Sequence, residues 1–166
     1  MNLLSFTIES VPVQATLTRI EKMSADMTPV AQGALKLEQL IRNTFRNESD
    51  PWGLPWPKLR SATIDNRRRR GNFGVKPLVD SEKMYDSIRT SQSATEVYVS
   101  VDYAPSFPKV HQFGNPENHA WGGPLAPVPA RPFFPLRDEN TLDVPDAWLN
   151  EIYQPMNKAL AQAIGG

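Results

Sequence analysis

The segment that most limits how this chain can fold is Val128-Pro129-Ala130-Arg131-Pro132-Phe133-Phe134-Pro135-Leu136. Its three prolines fix φ and remove backbone donors, so a helix is excluded. What remains is an extended arm, at best an edge strand. Side chains alternate in direction along an extended chain, so of Phe133 and Phe134 one can face its own core and the other a neighbour. Arg131, the one charged residue in the arm, reads as a buried arginine paired with an acid or as an interface fork. Upstream, Tyr103-Ala104-Pro105-Ser106-Phe107-Pro108-Lys109-Val110-His111-Gln112-Phe113-Gly114 starts just past a strand and stops on a glycine. A Gly/Pro/Asn-rich loop from Asn115 to Pro127, carrying Trp121, joins the two segments.

Periodicity supplies the elements that the arm must pack against. Leu4, Phe6 and Ile8 alternate with polar residues as in a half-buried strand. Val13, Leu17, Ile20, Met23 and Met27 then follow helical spacing. Thr28 as N-cap and Pro29 in the first turn open a second helix, with Val30, Ala34, Leu37, Ile41 and Phe45 as its stripe. Asp50 to Pro57 is turn-rich; its Trp52 and Trp56 read as cover for a core edge, or as a partner surface. Asp80 or Ser81 caps a short helix through Met84 and Tyr85. Ser87–Ser91 and Thr95–Val101 read as two strands of a hairpin. A short helical turn is expected from Phe107 to Phe113. The last helix opens at Asp143-Val144-Pro145-Asp146, with Trp148, Ile152, Met156 and Leu160 as its stripe and a kink or break at Pro155. The sum is one α+β domain over residues 1–166, with an antiparallel sheet of about four strands packed against two or three helices and long Pro-rich loops. The loops at about 60–76 and 115–127 are expected to be flexible.

Charge narrows the function. Eighteen basic and eighteen acidic residues cancel, which argues against bulk nucleic-acid binding. The charges are segregated, however. Lys58 to Lys76 holds seven basic residues against Asp65 alone, and Asp138 to Glu151 holds five acids and no base. Zero net charge with opposed patches favours association between copies. Arg67, Arg68, Arg69 and Arg70 cannot share one face of a regular element, so some must meet solvent or a partner. With no cysteine, disulfides and thiolate metal sites are excluded. The N-terminus lacks the pattern of a signal peptide, and no apolar run reaches membrane-spanning length, so synthesis in the cytoplasm and no membrane partner are expected.

Sequence offers little for catalysis. His111 and His119, eight residues apart, do not share a helix face. Glu117 would complete a metal set only on paper, so no metal, no cofactor and no enzymatic activity are expected. The bland role for His111 is to donate to backbone and fix the bend before Gly114. The other classes left open are a small hydrolase around His111 and His119, and a nucleic-acid-binding assembly factor working through Arg67 to Arg70.

Four fragments in order carry a resemblance: Asp50-Pro51-Trp52-Gly53…Trp56, the Asp-Ser…Met…Ser-Ile run at Asp80 to Ile88, Tyr103-Ala104…His111-Gln112-Phe113-Gly114, and Pro129-Ala130-Arg131-Pro132-Phe133. Together they resemble the phage virion morphogenesis (tail completion) family of Mu-like phages. That family's pattern has a glycine in the Asp80–Ile88 region, where this chain reads Ser81-Glu82-Lys83. The resemblance implies a non-enzymatic structural protein of the virion tail or neck. It would complete the head-proximal end of the tail as a homo-oligomeric ring, commonly a hexamer, and so allow head–tail joining. Implied partners are other copies of the chain, the tail tube protein and neck or connector proteins, with passive contact to genomic DNA passing through the ring. A neck or head–tail connector ring is the alternative within that class. Interaction residues expected on these grounds are Arg67, Arg68, Arg69, Arg70, Trp121, Arg131, Phe133 and Phe134.

Overall fold

The computed structural model describes residues 11–103, 106–117 and 127–165. In chain order the described elements are α1 (Val11–Ala25), α2 (Thr28–Asn47), α3 (Ser61–Arg69), α4 (Lys83–Asp86), β1 (Ile88–Gln92), β2 (Val97–Val101), α5 (Ser106–Phe113) and α6 (Asp146–Gly165). The class is α+β as expected, but among the described residues the sheet has two strands instead of about four. The strand expected at Leu4 to Ile8 lies outside the described residues. The arm is extended but is not a strand: among the described residues its β-bridges are the isolated pairs Asn115↔Val128 and Leu136↔Leu142, with single backbone bonds from Arg131 N–H to His111 O and from Asp143 N–H to Pro135 O. A proline at every third position removes the donors that a ladder needs.

The long helix α2 is the spine. Its start differs from the sequence reading in one detail: Met27 and not Thr28 stands at the N-cap, no side chain caps the helix, and Thr28 N–H donates to Asp26 Oδ1 at 2.9 Å. The stripe is also rotated. Val30 is exposed, whereas Gly33, Leu40, Ile41, Thr44 and Phe45 are buried. The cause is α6, which packs so tightly that a Cβ on Gly33 would stand 2.6 Å from the Ile152 carbonyl oxygen. On α1, Leu17 is exposed instead of lying in an apolar stripe. Helix α6 runs unbroken through Pro155. The carbonyl deprived of its partner belongs to the exposed Glu151, where water can satisfy it.

The hairpin appears where expected, in the register Ile88↔Val101 to Gln92↔Val97. Two strands alone are marginal in water. Here Glu38 and Arg42 of α2, both on its polar side, close the free edge of β1. Glu38 Oε2 accepts from Thr90 N–H at 2.8 Å and from Thr90 Oγ1 at 2.9 Å. Arg42 donates to the carbonyls of Tyr85 and Ile88, and its Nε meets Glu38 Oε1 at 2.9 Å. Burial raises the Glu38 pKa, but the bonds from Thr90 and Arg42 outweigh it and hold the carboxyl below the usual range.

Phe45 is the centre of the core. Trp56, Tyr85 and Phe133 surround its ring at centroid distances of 5.5, 5.7 and 5.3 Å. Ile41, Met84 and Ile88 complete the buried cluster, with Leu37, Val99, Val101, Phe134 and Trp148 packed against it. The Asp50–Trp56 turn exists to return Trp56 to this cluster. Asp50 Oδ1 accepts from the amides of Trp52 and Leu54, and Trp56 N–H donates back to Glu48 at 2.7 Å. Neither Asp80 nor Ser81 caps α4. The residue before it is Glu82, in a left-handed conformation at φ 58. A glycine would take that conformation freely.

Candidate functional site

The arm is fixed to the body of the subunit by side chains that reach its backbone. Gln112, on α5 and 4 % exposed, does most of this. Its Oε1 accepts from Phe133 N–H and Phe134 N–H, both at 3.0 Å, and its Nε2 donates to Phe134 O at 2.9 Å and Leu136 O at 3.1 Å. One amide side chain thus replaces the strand partner that the prolines exclude. Trp56 Nε1 donates to Pro132 O at 2.8 Å. Arg131 N–H donates to His111 O at 2.6 Å. Gly114 ends α5 at φ 78, where a Cβ would meet Ala130 N at 2.9 Å; only glycine lets the chain pass the arm this closely.

Phe133 is therefore core, 1 % exposed, and Phe134 is half-buried against the same cluster. Of the two rings Phe133 is the one that faces its own core, and Phe134 leans on it at a centroid distance of 5.4 Å with part of its surface exposed. Arg131 is buried as read, but carbonyls and not an acid receive it: Nε reaches Pro57 O at 2.9 Å and Nη2 reaches Lys58 O at 3.3 Å.

The arginine run is the C-terminus of helix α3 rather than a loop. One of the four turns inward. Arg67 is 5 % exposed, and its Nη1 donates to the carbonyls of Gly74, Lys76 and Val79. Its Nε lies 3.4 Å from Asp80 Oδ1, while Arg70 holds the other Asp80 oxygen at 2.9 Å. Burial raises the Asp80 pKa, but Arg70, Arg67 and Asn72 hold it below the ordinary value. Arg68 is exposed and 3.6 Å from Asp65, and Arg69 is exposed. Of the expected interaction residues, then, Arg68, Arg69 and Arg70 face outward and Arg67, Arg131 and Phe133 do not. Trp121 lies outside the described residues.

Between α3 and the arm lies a cavity of about 370 Å³. Arg60, Arg67, Arg70 and Arg131 line it, with Asp80 and Glu82 as the carboxylates and His111 in the wall. Burial, and next the Arg131 charge, push the His111 imidazole down to about 4, so it is neutral at physiological pH. Sequence inspection missed this convergence because Arg60, Arg67 and Arg131 meet only through the fold; the one available signal was a charged residue inside a rigid apolar arm. Among the described residues no group of three His, Asp or Glu side chains could hold a metal ion, and His119 lies outside them. Among the same residues no helix is long and apolar enough to cross a membrane. With four arginines against two carboxylates, the arrangement is suited to binding anionic groups.

The sequence profile of the phage virion morphogenesis family matches residues 8–152. Comparison with curated proteins and with solved structures returns no match. The matched span contains all four sequence fragments, the arm and the arginine-lined cavity, and the family is one of virion building, not a known enzyme class. The chain belongs to the phage virion morphogenesis family.

Proposed function

We propose that this chain is a tail-completion protein, which caps the head-proximal end of the phage tail as a ring of identical copies so that the head can join. The observation that carries this is the family match over residues 8–152, a span that includes the arm and the residues of the cavity. The structure adds support of a general kind. A closed ring needs a heterologous interface, in which unlike surfaces of successive copies meet. The basic cavity beside α3 and the acidic stretch from Asp138 to Glu151 are two such surfaces. The partners in this reading are other copies in a six-membered ring, the tail tube protein below, and neck or connector proteins above. DNA would pass through the ring without being read.

Deleting the gene from the phage tests this. The expected outcome is DNA-filled heads and separate tails that fail to join, with infectivity restored when the protein is added to the extract. A deletion that leaves joined, infectious particles at normal yield contradicts the proposal. Heads that lack their neck ring, beside tails that still join wild-type heads, would point to the connector ring instead.

A further inference from the structure

We propose that the cavity between α3 and the arm is a carboxylate socket, and that its occupant is the Asp138–Glu139 corner of a second copy of this chain. The proposal rests on the ring reading above and names the contact that would build it.

The cavity is short of negative charge. Four arginines line it, and of its two carboxylates Asp80 is already committed to Arg67 and Arg70. Arg131 is the sharper case. It is 5 % exposed, its Nε and Nη2 are spent on carbonyls, and among the described residues its Nη1 has no acceptor and the guanidinium has no carboxylate. A buried cation without a counterion is a costly arrangement, and an incoming carboxylate would relieve it. A planar guanidinium also offers the fork that carboxylates accept best.

The complementary surface is on the other side of the same arm. Val128, Pro129 and Arg131 line the socket, whereas Ala130 and Pro132 line a second cleft that contains Asp138 and Glu139. The extended chain thus carries a cationic recess on one side and, on the other, the Asp138–Glu139 corner beside Arg137, whose charge Asp143 takes. A head-to-tail contact needs such a pair of unlike surfaces held rigidly with respect to each other. Gln112 and the prolines supply the rigidity, so docking orders little. Asp138 is exposed and pairs with no cation among the described residues, while hydrogen bonds from Asn140 and Thr141 hold its carboxyl below the usual range. Glu139 pairs with Lys109 at 2.8 Å across an exposed contact, which a better partner can displace. A DNA phosphate is the weaker candidate, because the chain has no net positive charge and the deepest cation, Arg131, is recessed.

The test is a charge swap in the full chain, with self-association followed by light scattering and folding checked by thermal melting. Arg60→Glu reverses the exposed rim of the socket. It sits at the N-cap of α3, where an acid is compatible with the helix dipole. Asp138→Arg with Glu139→Arg reverses the corner. Each is expected to weaken self-association at least about tenfold. Arg131→Lys, which keeps the charge but not the fork, should weaken it as well. Folded reversal variants that assemble like wild type overturn the socket while leaving the ring reading intact. A wild-type chain that never self-associates overturns both. If Arg60→Glu instead spares self-association and lowers retention on a duplex DNA fragment with a steep salt dependence, the occupant is a phosphate and the proposal is wrong.

Discussion

Gln112→Ala should be the most damaging single change on α5. The side chain makes four hydrogen bonds to the arm backbone, two as acceptor and two as donor. Truncation leaves the amides of Phe133 and Phe134 and the Leu136 carbonyl without that partner, whereas Phe134 O still accepts from Leu136 N–H at 2.8 Å; each group that stays buried costs about 1–3 kcal/mol. The Phe133 amide is fully buried, whereas Phe134 and Leu136 are half-buried and regain water in part. The expected loss is therefore about 3–5 kcal/mol, a large share of the roughly 5–15 kcal/mol that holds a domain together. Urea unfolding followed by tryptophan fluorescence measures it, since Trp56 packs on the same core and donates to Pro132 of the arm. Gln112→Glu sharpens the test. One carboxylate oxygen can still accept from the two amides, but the other would face the carbonyls of Phe134 and Leu136. A proton there restores a donor, so the folded-state pKa of the introduced glutamate rises above its unfolded value of about 4.3. The variant should be closest to wild type below that value and lose stability as pH rises through the folded pKa. A loss under about 1 kcal/mol for Gln112→Ala would show that the arm is not held by this clamp.

Three further outcomes follow from the same packing. Phe133→Ala should cost about 3–5 kcal/mol in urea unfolding as a fully buried ring is removed, and Phe134→Ala distinctly less; equal costs would contradict the placement of the arm. His111 has a folded pKa of about 4 against an ordinary 6.5, so the unfolded chain binds the proton first; up to about 3 kcal/mol of stability should be lost as pH falls from 6.5 to 4, and His111→Gln should remove that slope from the unfolding midpoint. Glu82→Gly should raise the melting temperature slightly or leave it unchanged, because glycine takes φ 58 without strain at about 1 kcal/mol of extra chain entropy; a clear drop would mean the Glu82 side chain does more than the described contacts indicate.

Local rules carried the sequence reading as far as local physics reaches. The alternating valines of β2, the helical spacing around Ile41 and Phe45, and the glycine stop at Gly114 all place elements within a residue or two. The prolines of the arm correctly exclude helix, but they do not reveal that a glutamine from α5 takes over the strand partner's role. Gln112 is polar and lies in a short helix, and nothing nearby in sequence marks it as buried. Four adjacent arginines could be read as not all facing one way; that Arg67 is the inward one depends on three carbonyls from Gly74 to Val79 and on Asp80. The rotation of the α2 stripe follows from the close approach of α6 at Gly33, a contact set far away in the chain. Glu38 and Arg42 look like an ordinary exposed helix pair until β1 is laid beside them.

The most direct test of the central claim is to locate this chain in the virion by electron cryomicroscopy of intact particles and of tails from a head-defective phage. The account predicts a single ring of copies at the end of the tail that meets the head, present on free tails as well. In that ring the α3 side of one subunit should abut the Asp138–Glu151 side of the next. Density for the chain at the distal end of the tail, along the tube, or within the head shell would contradict it.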